Sequence, residues 1–449
     1  MRRTGALIPA LLGVLAGLAA AAEPPNAQEP RAALAAPYPG ITAAPAEEPC
    51  VPLDLQTALS WTLSSNPDLI AVRQNLCVSA EAVGVARRLP ASLNPSVSVD
   101  VAPWVFERTP GNGVERLDPM VTVSLQQPIE LGHRTRFRLS EARASYGKEQ
   151  WNVVQAEFQA VVQTYRLYQT AAYRRDKVQV ARELADFSNR LLATIQRQVD
   201  ANQAPAADLV LAEVEGQTAR QDLIAAEQEH VVALSALRRQ IGFNDDHRFW
   251  EPAEGLQLPA CPVSDEQALV ERAMTEHPEI GAAAAQVEVS RSALSLARAD
   301  RIPTPSLGPT YERNETGASF YGLAVSSPLP VLNAGAPLVR QREAEHNRDR
   351  VVLEQVRQRV RLQVRDAHVR WTQSLQMAAR TRAVHEPIEA LAARMERLYQ
   401  AGQADLTRLL QVRQRLIEAQ NVQLDALWQA TQAYADLLAA VGVTPLVEW

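Results

Sequence analysis

The sequence repeats itself. Laid on each other at an offset of 200 positions, the two halves match Pro128 with Pro328, Leu131 with Val331, Asn202 with Gly402, and Leu209 with Leu409. The same offset matches Leu237 with Leu437 and Gly242 with Gly442. Upstream the offset is 211: Asp54 meets Asp265, Asn66-Pro67 meets His277-Pro278, and Ala86-Arg87 meets Ala297-Arg298. Self-similarity over so long a period constrains the fold more than any local motif. Each copy reads as a strand pair, a proline break, a very long helix, a tip and a second helix. The first repeat is expected over residues 53–242 and the second over 264–442. A proline-bearing linker at 243–263 joins them, and 443–449 form a tail. The 11-residue difference in offset is expected between the strands of each pair, in exposed tips that tolerate length variation.

Alternation defines the strands. Val97, Val99 and Val101 face one way in the stretch 96–105, with Ser98 and Asp100 on the other. The pattern returns over 120–127, where Val121, Val123 and Leu125 oppose Thr122, Ser124 and Gln126, with a loop at Pro110-Gly111-Asn112-Gly113 between the two. The second pair is expected over 305–313 and 320–327, with Tyr321, Leu323 and Val325 on one face. Trp104, Phe106, Tyr311, Phe320 and Tyr321 gather on these strands, as in the aromatic girdle of a membrane barrel or the core of a soluble sheet.

Helices dominate the rest. Residues 132–200 contain no proline, and 335–401 carry one interruption, Pro387, at which a kink is expected. A run of such length spans about 100 Å at 1.5 Å per residue. The partner helices, about 206–242 and 405–441, are roughly half as long. The short helices before each strand pair are expected to continue that second column end to end. Leu409, Val412, Leu416, Ala419, Val422, Ala426, Ala430, Ala433, Leu437 and Ala440 step by three or four, the spacing of a coiled coil. Asn202 and Gly402 mark the two tips, where a left-handed residue ends a helix.

Among 449 residues the net charge is −6, and no basic run is present, which argues against nucleic acid. Aromatics make up only 5% of the chain while 47% is hydrophobic, much of it alanine, as suits close-packed helices. Met1-Arg2-Arg3 followed by an apolar stretch and Ala20-Ala21-Ala22 reads as a signal peptide over 1–22, with a membrane anchor as the other reading. Residues 23–52 are Pro/Ala-rich and read as a linker. No later stretch reads as a membrane helix, so contact with a membrane would fall to the strands. The three cysteines, Cys50, Cys77 and Cys261, leave two states open, a Cys50–Cys77 disulfide or three free thiols. The histidines are scattered, and no phosphate loop, zinc motif or nucleophile elbow is present. No enzyme activity, cofactor or metal site is expected.

Four strands are too few for a membrane barrel, and an open sheet in lipid would leave its edge amides unsatisfied. Membranous strands would therefore require several chains to share one barrel, continuous with long helices: a duct. At this point the chain resembles the outer-membrane efflux (TolC-like) family. The resemblance covers Asp54 to Gly442 and rests on the duplication, on Asn66-Pro67-Asp68-Leu69 and His277-Pro278-Glu279-Ile280, and on the two proline-to-helix junctions. Gln127-Pro128-Ile129-Glu130-Leu131-Gly132-His133-Arg134 and Pro328-Leu329-Pro330-Val331-Leu332-Asn333 look like its heavy-metal (cobalt–zinc–cadmium) branch.

The resemblance implies a mainly α fold with a small β part. It implies a homotrimer in the outer membrane, with a shared twelve-stranded barrel opening into an α-helical barrel in the periplasm. It implies a periplasmic adaptor and an inner-membrane pump as partners, and outer-membrane lipid around the strands. The adaptor-contacting tips map to Asn202, Gln203, Ala204 and Asp208, and to Gly402, Gln403 and Ala404. Tyr399 matches a tip tyrosine that helps hold the closed state. Two aspartates of the family's entrance fall on Arg408 and Gln411, neither of them acidic, with Asp405 one turn earlier. His133, Arg134, Arg136 and Arg138 form a basic group placed either to meet lipid headgroups or simply to begin a helix. Two other classes stay open: a periplasmic adaptor, which would show one hairpin flanked by β-domains, and a coiled-coil scaffold, which would need neither leader nor strands.

Overall fold

In each repeat two shorter helices lead to the strands, and a hairpin of long helices follows. The first has α1 (Leu55–Ser65), α2 (Pro67–Arg87), α3 (Arg134–Asp200) and α4 (Ala206–Ile241). The second has α5 (Glu266–Glu276), α6 (Pro278–Ala299), α7 (Ala336–Gln400) and α8 (Leu406–Val441). The computed structural model describes residues 51–103, 105–109, 113–242, 250–258 and 265–444, with no side chains over 104–117. The expected leader, nearly all of the Pro/Ala-rich stretch, Cys50, Cys261 and the last five residues lie outside them. Cys77 is exposed on α2.

Helix α3 has 67 residues and so a length of about 100 Å. Helix α7 has 65 and runs unbroken through Pro387, giving up only the bond that this residue's missing N–H would make one turn back. The buried interior follows the helix columns. Alanines such as Ala171, Ala172, Ala430 and Ala435 are fully covered where backbones approach, and Trp371, Tyr168, Ile195 and Leu438 fill the wider gaps. Among the described residues one stretch, Pro67–Leu93, is long and apolar enough by length and composition to cross a membrane, contrary to the sequence reading. Its Ile70, Val78 and Val85 are exposed, which makes it a helix with an uncovered apolar face.

The two proline motifs are joints. Asn66 accepts the Leu69 N–H through Oδ1 at 3.0 Å, capping α2, and donates through Nδ2 to the Gln240 carbonyl at 2.6 Å. His277 does the same in the second repeat: Nδ1 accepts the Glu279 N–H at 3.1 Å, and the Ala439 carbonyl faces the ring. Each cap thus ties the start of one helix to the end of another, which joins α4 and α8 to the short helices as a continuing column. Gly242 ends α4 at φ 92, and a Cβ there would lie 2.2 Å from the Ser65 carbonyl oxygen. Gly442 ends α8 at φ 83, and its Cβ would lie 2.9 Å from the His277 Cα.

The strands are β1 (Val51–Leu53), β2 (Ser96–Ala102), β3 (Val105–Thr109), β4 (Gly113–Leu117), β5 (Met120–Pro128), β6 (Trp250–Pro252), β7 (Ser306–Arg313) and β8 (Ser319–Ser326). Strands β2, β5, β7 and β8 form one antiparallel sheet in that order, so the two repeats meet at β5–β7. The first strand stops at Ala102 rather than 105, and a further ribbon, β3 against β4, lies between the two strands, while residues 110–112 of the expected loop lie outside the described residues. Ser96 pairs with Gln126, and Ser306 pairs with Ser326. Because Gln126 and Ser326 match at 200, Ser96 and Ser306 match at 210, as do Pro95 and Pro305. Ten of the eleven extra residues therefore lie between the strands and one lies upstream, between helix and strand. In the stretches read as linkers, Val51–Leu53 pairs in parallel with Trp250–Pro252. Tyr168 donates to the Leu53 carbonyl at 2.9 Å, and Asp176 accepts the Leu256 N–H at 3.0 Å, so this strap is held against α3.

Candidate functional site: sheet face and helix tips

The register sorts the sheet into two chemically distinct faces. Val99, Val123, Tyr311 and Tyr321 form one cross-strand row, and Val97, Leu125, Leu323, Leu307 and Val325 lie on the same side. Val97 is 66% exposed, Tyr321 84% and Leu323 69%. The opposite face carries Ser98, Ser124 and Thr310 in one row and Asp100, Thr122 and Glu312 in the next. There Ser98 and Ser124 share a hydrogen bond of 2.7 Å. Phe320 pairs with Glu312 and so belongs to the polar side, away from Tyr311 and Tyr321, whose rings lie 5.3 Å apart. The girdle expected from the sequence thus loses Phe320, and the side chains of Trp104 and Phe106 lie outside the described residues. Gly308 and Pro309 interrupt the β5–β7 ladder: the pairing skips Leu125 and Gln126, since Pro309 has no N–H to give. Among the described residues β2 and β8 each keep one unpaired edge.

Below the sheet, the basic group is mostly committed within the chain. Arg134 donates to Thr304 Oγ1 at 2.7 Å and to the Asp300 carbonyl at 3.0 Å. Arg138 pairs with Glu130 at 2.9 Å. Burial pushes the Glu130 carboxyl up, but hydrogen bonds from Arg138 and Thr135 outweigh it and leave it below the usual range. Only His133 and Arg136 remain exposed of the four.

At the far end both hairpin tips turn in the same way. The Asn202 N–H bonds to the Val199 carbonyl at 2.9 Å, and the Gln203 N–H to the Gln198 carbonyl at 2.7 Å. Gly402 and Gln403 repeat this on Tyr399 and Leu398, each bond at 2.9 Å. The paired bonds are those of a Schellman ending, with Asn202 at φ 55 and Gly402 at φ 71 in the left-handed conformation expected. The tips share one apolar cluster: Phe187, Leu191, Ile195 and Ala212 from the first hairpin, with Met395, Leu406 and Leu409 from the second. Ala404 and Tyr399 pack at its edge. Burial, and then the carboxylates of Asp208 and Asp405, hold the Tyr399 hydroxyl above the ordinary tyrosine value. The structure therefore groups Tyr399, Asp208 and Asp405. Arg408 and Gln411 are exposed along α8, and Asn202, Gln203, Gly402 and Gln403 are exposed at the tips. Sequence reasoning missed Arg413, whose guanidinium lies 4.6 Å from the Phe187 ring centroid. The signal was a charged residue one turn beyond Leu409 on the packed face. Burial pulls Arg413 below the ordinary arginine value, against Glu396 and Glu183.

The second repeat's joint differs from the first in being titratable. Burial lowers the His277 pKa, opposed by Glu279, so the folded state favours the neutral ring that the cap requires. Its folded value lies below the ordinary histidine value of about 6.5, so its contribution is intact above that pH and is lost as pH falls through it. The Tm of the detergent-solubilised wild type should fall more between pH 7.5 and 5.5 than that of His277→Asn, which reproduces the Asn66 cap. Equal falls would show that His277 does not carry the effect.

The outer membrane efflux protein model matches residues 58–242 and 269–443, a stretch in each half of the chain. The chain belongs to the outer membrane efflux protein family. It is an outer-membrane transport protein and not an enzyme. The alkaline protease secretion protein AprF of Pseudomonas aeruginosa is 23% identical over 335 residues, covering 72% of this chain and 69% of that one. The fold matches the Campylobacter jejuni CmeC outer membrane channel at a TM-score of 0.70 and 14% identity, covering 88% of this chain and 87% of that one. It matches CusC at a TM-score of 0.67 and 17% identity, covering 87% of this chain and 92% of that one.

Proposed function

We propose that this efflux protein is the exit duct of a tripartite export system. Three copies contribute four strands each to one twelve-stranded barrel in the outer membrane, and the helices continue it as a tube into the periplasm. The observation that carries this reading is the four-stranded sheet, apolar and exposed on one face, polar on the other and open at both edges. Lipid suits the first face and a wet lumen the second, while the open edges demand neighbouring strands. The sheet runs directly into the long helices, β5 ending at Pro128 six positions before α3. The tips around Asn202–Asp208 and Gly402–Gln411 are where a periplasmic adaptor engages, and an inner-membrane pump supplies the energy. Tyr399, with Asp208 and Asp405, is the group that holds the tip closed, and Arg408 and Gln411 line the entrance beyond it. The alternative of an adaptor or scaffold is disfavoured by two equivalent halves, each with its own strands.

The motifs at 127–134 and 328–333 favour heavy-metal ions as cargo. The match to a protease-secretion protein favours a second reading, in which a polypeptide passes through. Envelope fractionation and sizing of the solubilised protein test the duct: an outer-membrane trimer is expected, and a soluble periplasmic monomer would sink it. A strain lacking the gene should then become sensitive to cobalt, zinc or cadmium. Normal metal tolerance with a missing secreted protein would decide for the second reading.

A further inference from the structure

The apolar face of the sheet does not end where the strands end. Leu125, Gln127, Ile129, Leu131 and His133 are exposed, while Gln126, Pro128, Glu130 and Gly132 between them are partly covered. The side-chain period of two thus runs past β5 almost to α3, on the side that carries Val121 and Val123. Behind this stretch the chain is packed: the Ile129 N–H bonds to the Pro305 carbonyl at 2.7 Å, and Ile302 lies against Gly132. Even so, Ile129 and Leu131 stay 40% and 43% exposed. Their matches in the second repeat, Leu329 and Val331, are each 81% exposed, on a turn closed by the Val331 N–H on the Leu329 carbonyl at 2.8 Å. Leu332 is of the other parity, matching the packed Gly132, and stands apart from this face.

Length makes the extension matter. From Val121 to Leu125, and from Tyr321 to Val325, the apolar face of the sheet covers only about 10 Å of membrane depth, at ~3.3 Å per residue and a strand tilt of ~40°. An outer-membrane barrel carries an apolar band about 25 Å tall. Continued to Leu131 and Val331, the same face reaches about 25 Å. Below it the chemistry changes. The carboxylates of Glu130 and Asp300 are both held by arginines, Arg138 at 2.9 Å and Arg134 at 3.4 Å. Arg88, Arg136 and Arg298, at the ends of α2, α3 and α6, are exposed and have no ion pair among the described residues. The charge left free at these helix ends is therefore positive.

We propose that the two turns between sheet and long helices form a lipid-binding collar in the periplasmic leaflet of the outer membrane. Ile129, Leu131, Leu329 and Val331 sit among the acyl chains, and the arginines below them hold the headgroups of anionic phospholipids. The collar rests on the barrel reading, and adds to it a lipid class and the residues that select it. It brings the apolar depth of the protein up to that of the membrane, which the strands alone do not fill. An uncharged headgroup would satisfy the apolar turns equally well but leave the arginines without a counter-charge.

The test uses the full chain with Cys50, Cys77 and Cys261 changed to serine. A small fluorophore is attached through Val331→Cys, through Leu323→Cys in the sheet, or through Gln411→Cys at the tip. Each protein is reconstituted into vesicles of equal parts phosphatidylcholine and phosphatidylglycerol. Lipids bearing a nitroxide just below the headgroup should quench the label at 331 several-fold more than the label at 411. Equal quenching at 331 and 411, with the label at 323 strongly quenched by nitroxides deeper in the acyl chain, overturns the collar and leaves the barrel standing. A label at 323 that no nitroxide quenches overturns both. For the lipid class, melting is compared in these vesicles and in phosphatidylcholine alone. The unsubstituted chain should melt several degrees higher with phosphatidylglycerol present, and Arg88→Gln with Arg136→Gln should lose most of that gain. No gain, or a gain that survives the double substitution, overturns the assignment to anionic lipid.

Discussion

Replacing Gly242 by valine is expected to unfold the joint between α4 and the α1–α2 corner. Two costs act together. At φ 92 a β-branched residue is strained by about 1–2 kcal/mol. The new Cβ would also sit 2.2 Å from the Ser65 carbonyl oxygen, a backbone atom that cannot rotate away. Moving Ser65 drags Asn66, whose side chain holds both the start of α2 and the Gln240 carbonyl. A total of at least about 3 kcal/mol is expected, seen as a large drop in Tm or as failure to accumulate in membranes. Gly402→Asn is the contrasting case. Gly402 is also left-handed, but nothing lies within 4 Å of its would-be Cβ, and Asn202 already holds the matching place. It should melt within about 0.5 kcal/mol of wild type. A Gly242→Val protein as stable as the parent would mean that the joint is far looser than described.

Trp371→Ala should be nearly as damaging for a different reason. Trp371 is 1% exposed, with its ring 5.2 Å from that of Tyr434, which in turn lies 6.1 Å from Tyr165. Emptying that space removes the ring's burial and leaves a cavity between rigid helices, at about 3–5 kcal/mol. The indole Nε1 has no hydrogen-bond partner among the described residues, so its loss forfeits nothing. Trp371→Phe is therefore expected to cost under about 2 kcal/mol, since most of the ring stays and a buried unpaired donor goes. Thermal unfolding of the two variants side by side tests this. Equal losses would mean that the N–H matters and has a partner.

The long helices and the two repeats were legible because they are written in local chemistry: absent prolines, seam spacing, and Asn202 and Gly402 where helices turn back. The alternation of β2 and β5 was equally plain, because side-chain direction follows sequence with a period of two. What escaped was set by pairing across the chain. Nothing near Val51 announces a partner at Trp250, 199 positions on. The place of Phe320 depends on its register with Glu312, not on being aromatic. The tie from Asn66 to Gln240 needs two segments far apart in sequence to meet, so the proline motif alone could not announce it. At the tips, sequence position located Tyr399, Asp208 and Asp405 separately, and only the packing of two hairpins brought them together.

The β5–β7 pairing has a consequence for symmetry. A contact that joins unlike surfaces head to tail closes into a ring only if its rotation divides a full turn, and otherwise winds on as an open filament. In the proposed trimeric duct each chain supplies two repeats, so the step between them at β5–β7 sets how far round the circle one chain reaches. A change at Gly308 or Pro309 would thus act far beyond its own strand. By altering the step between repeats it would alter how many of them complete the circle, and with that the bore of the channel.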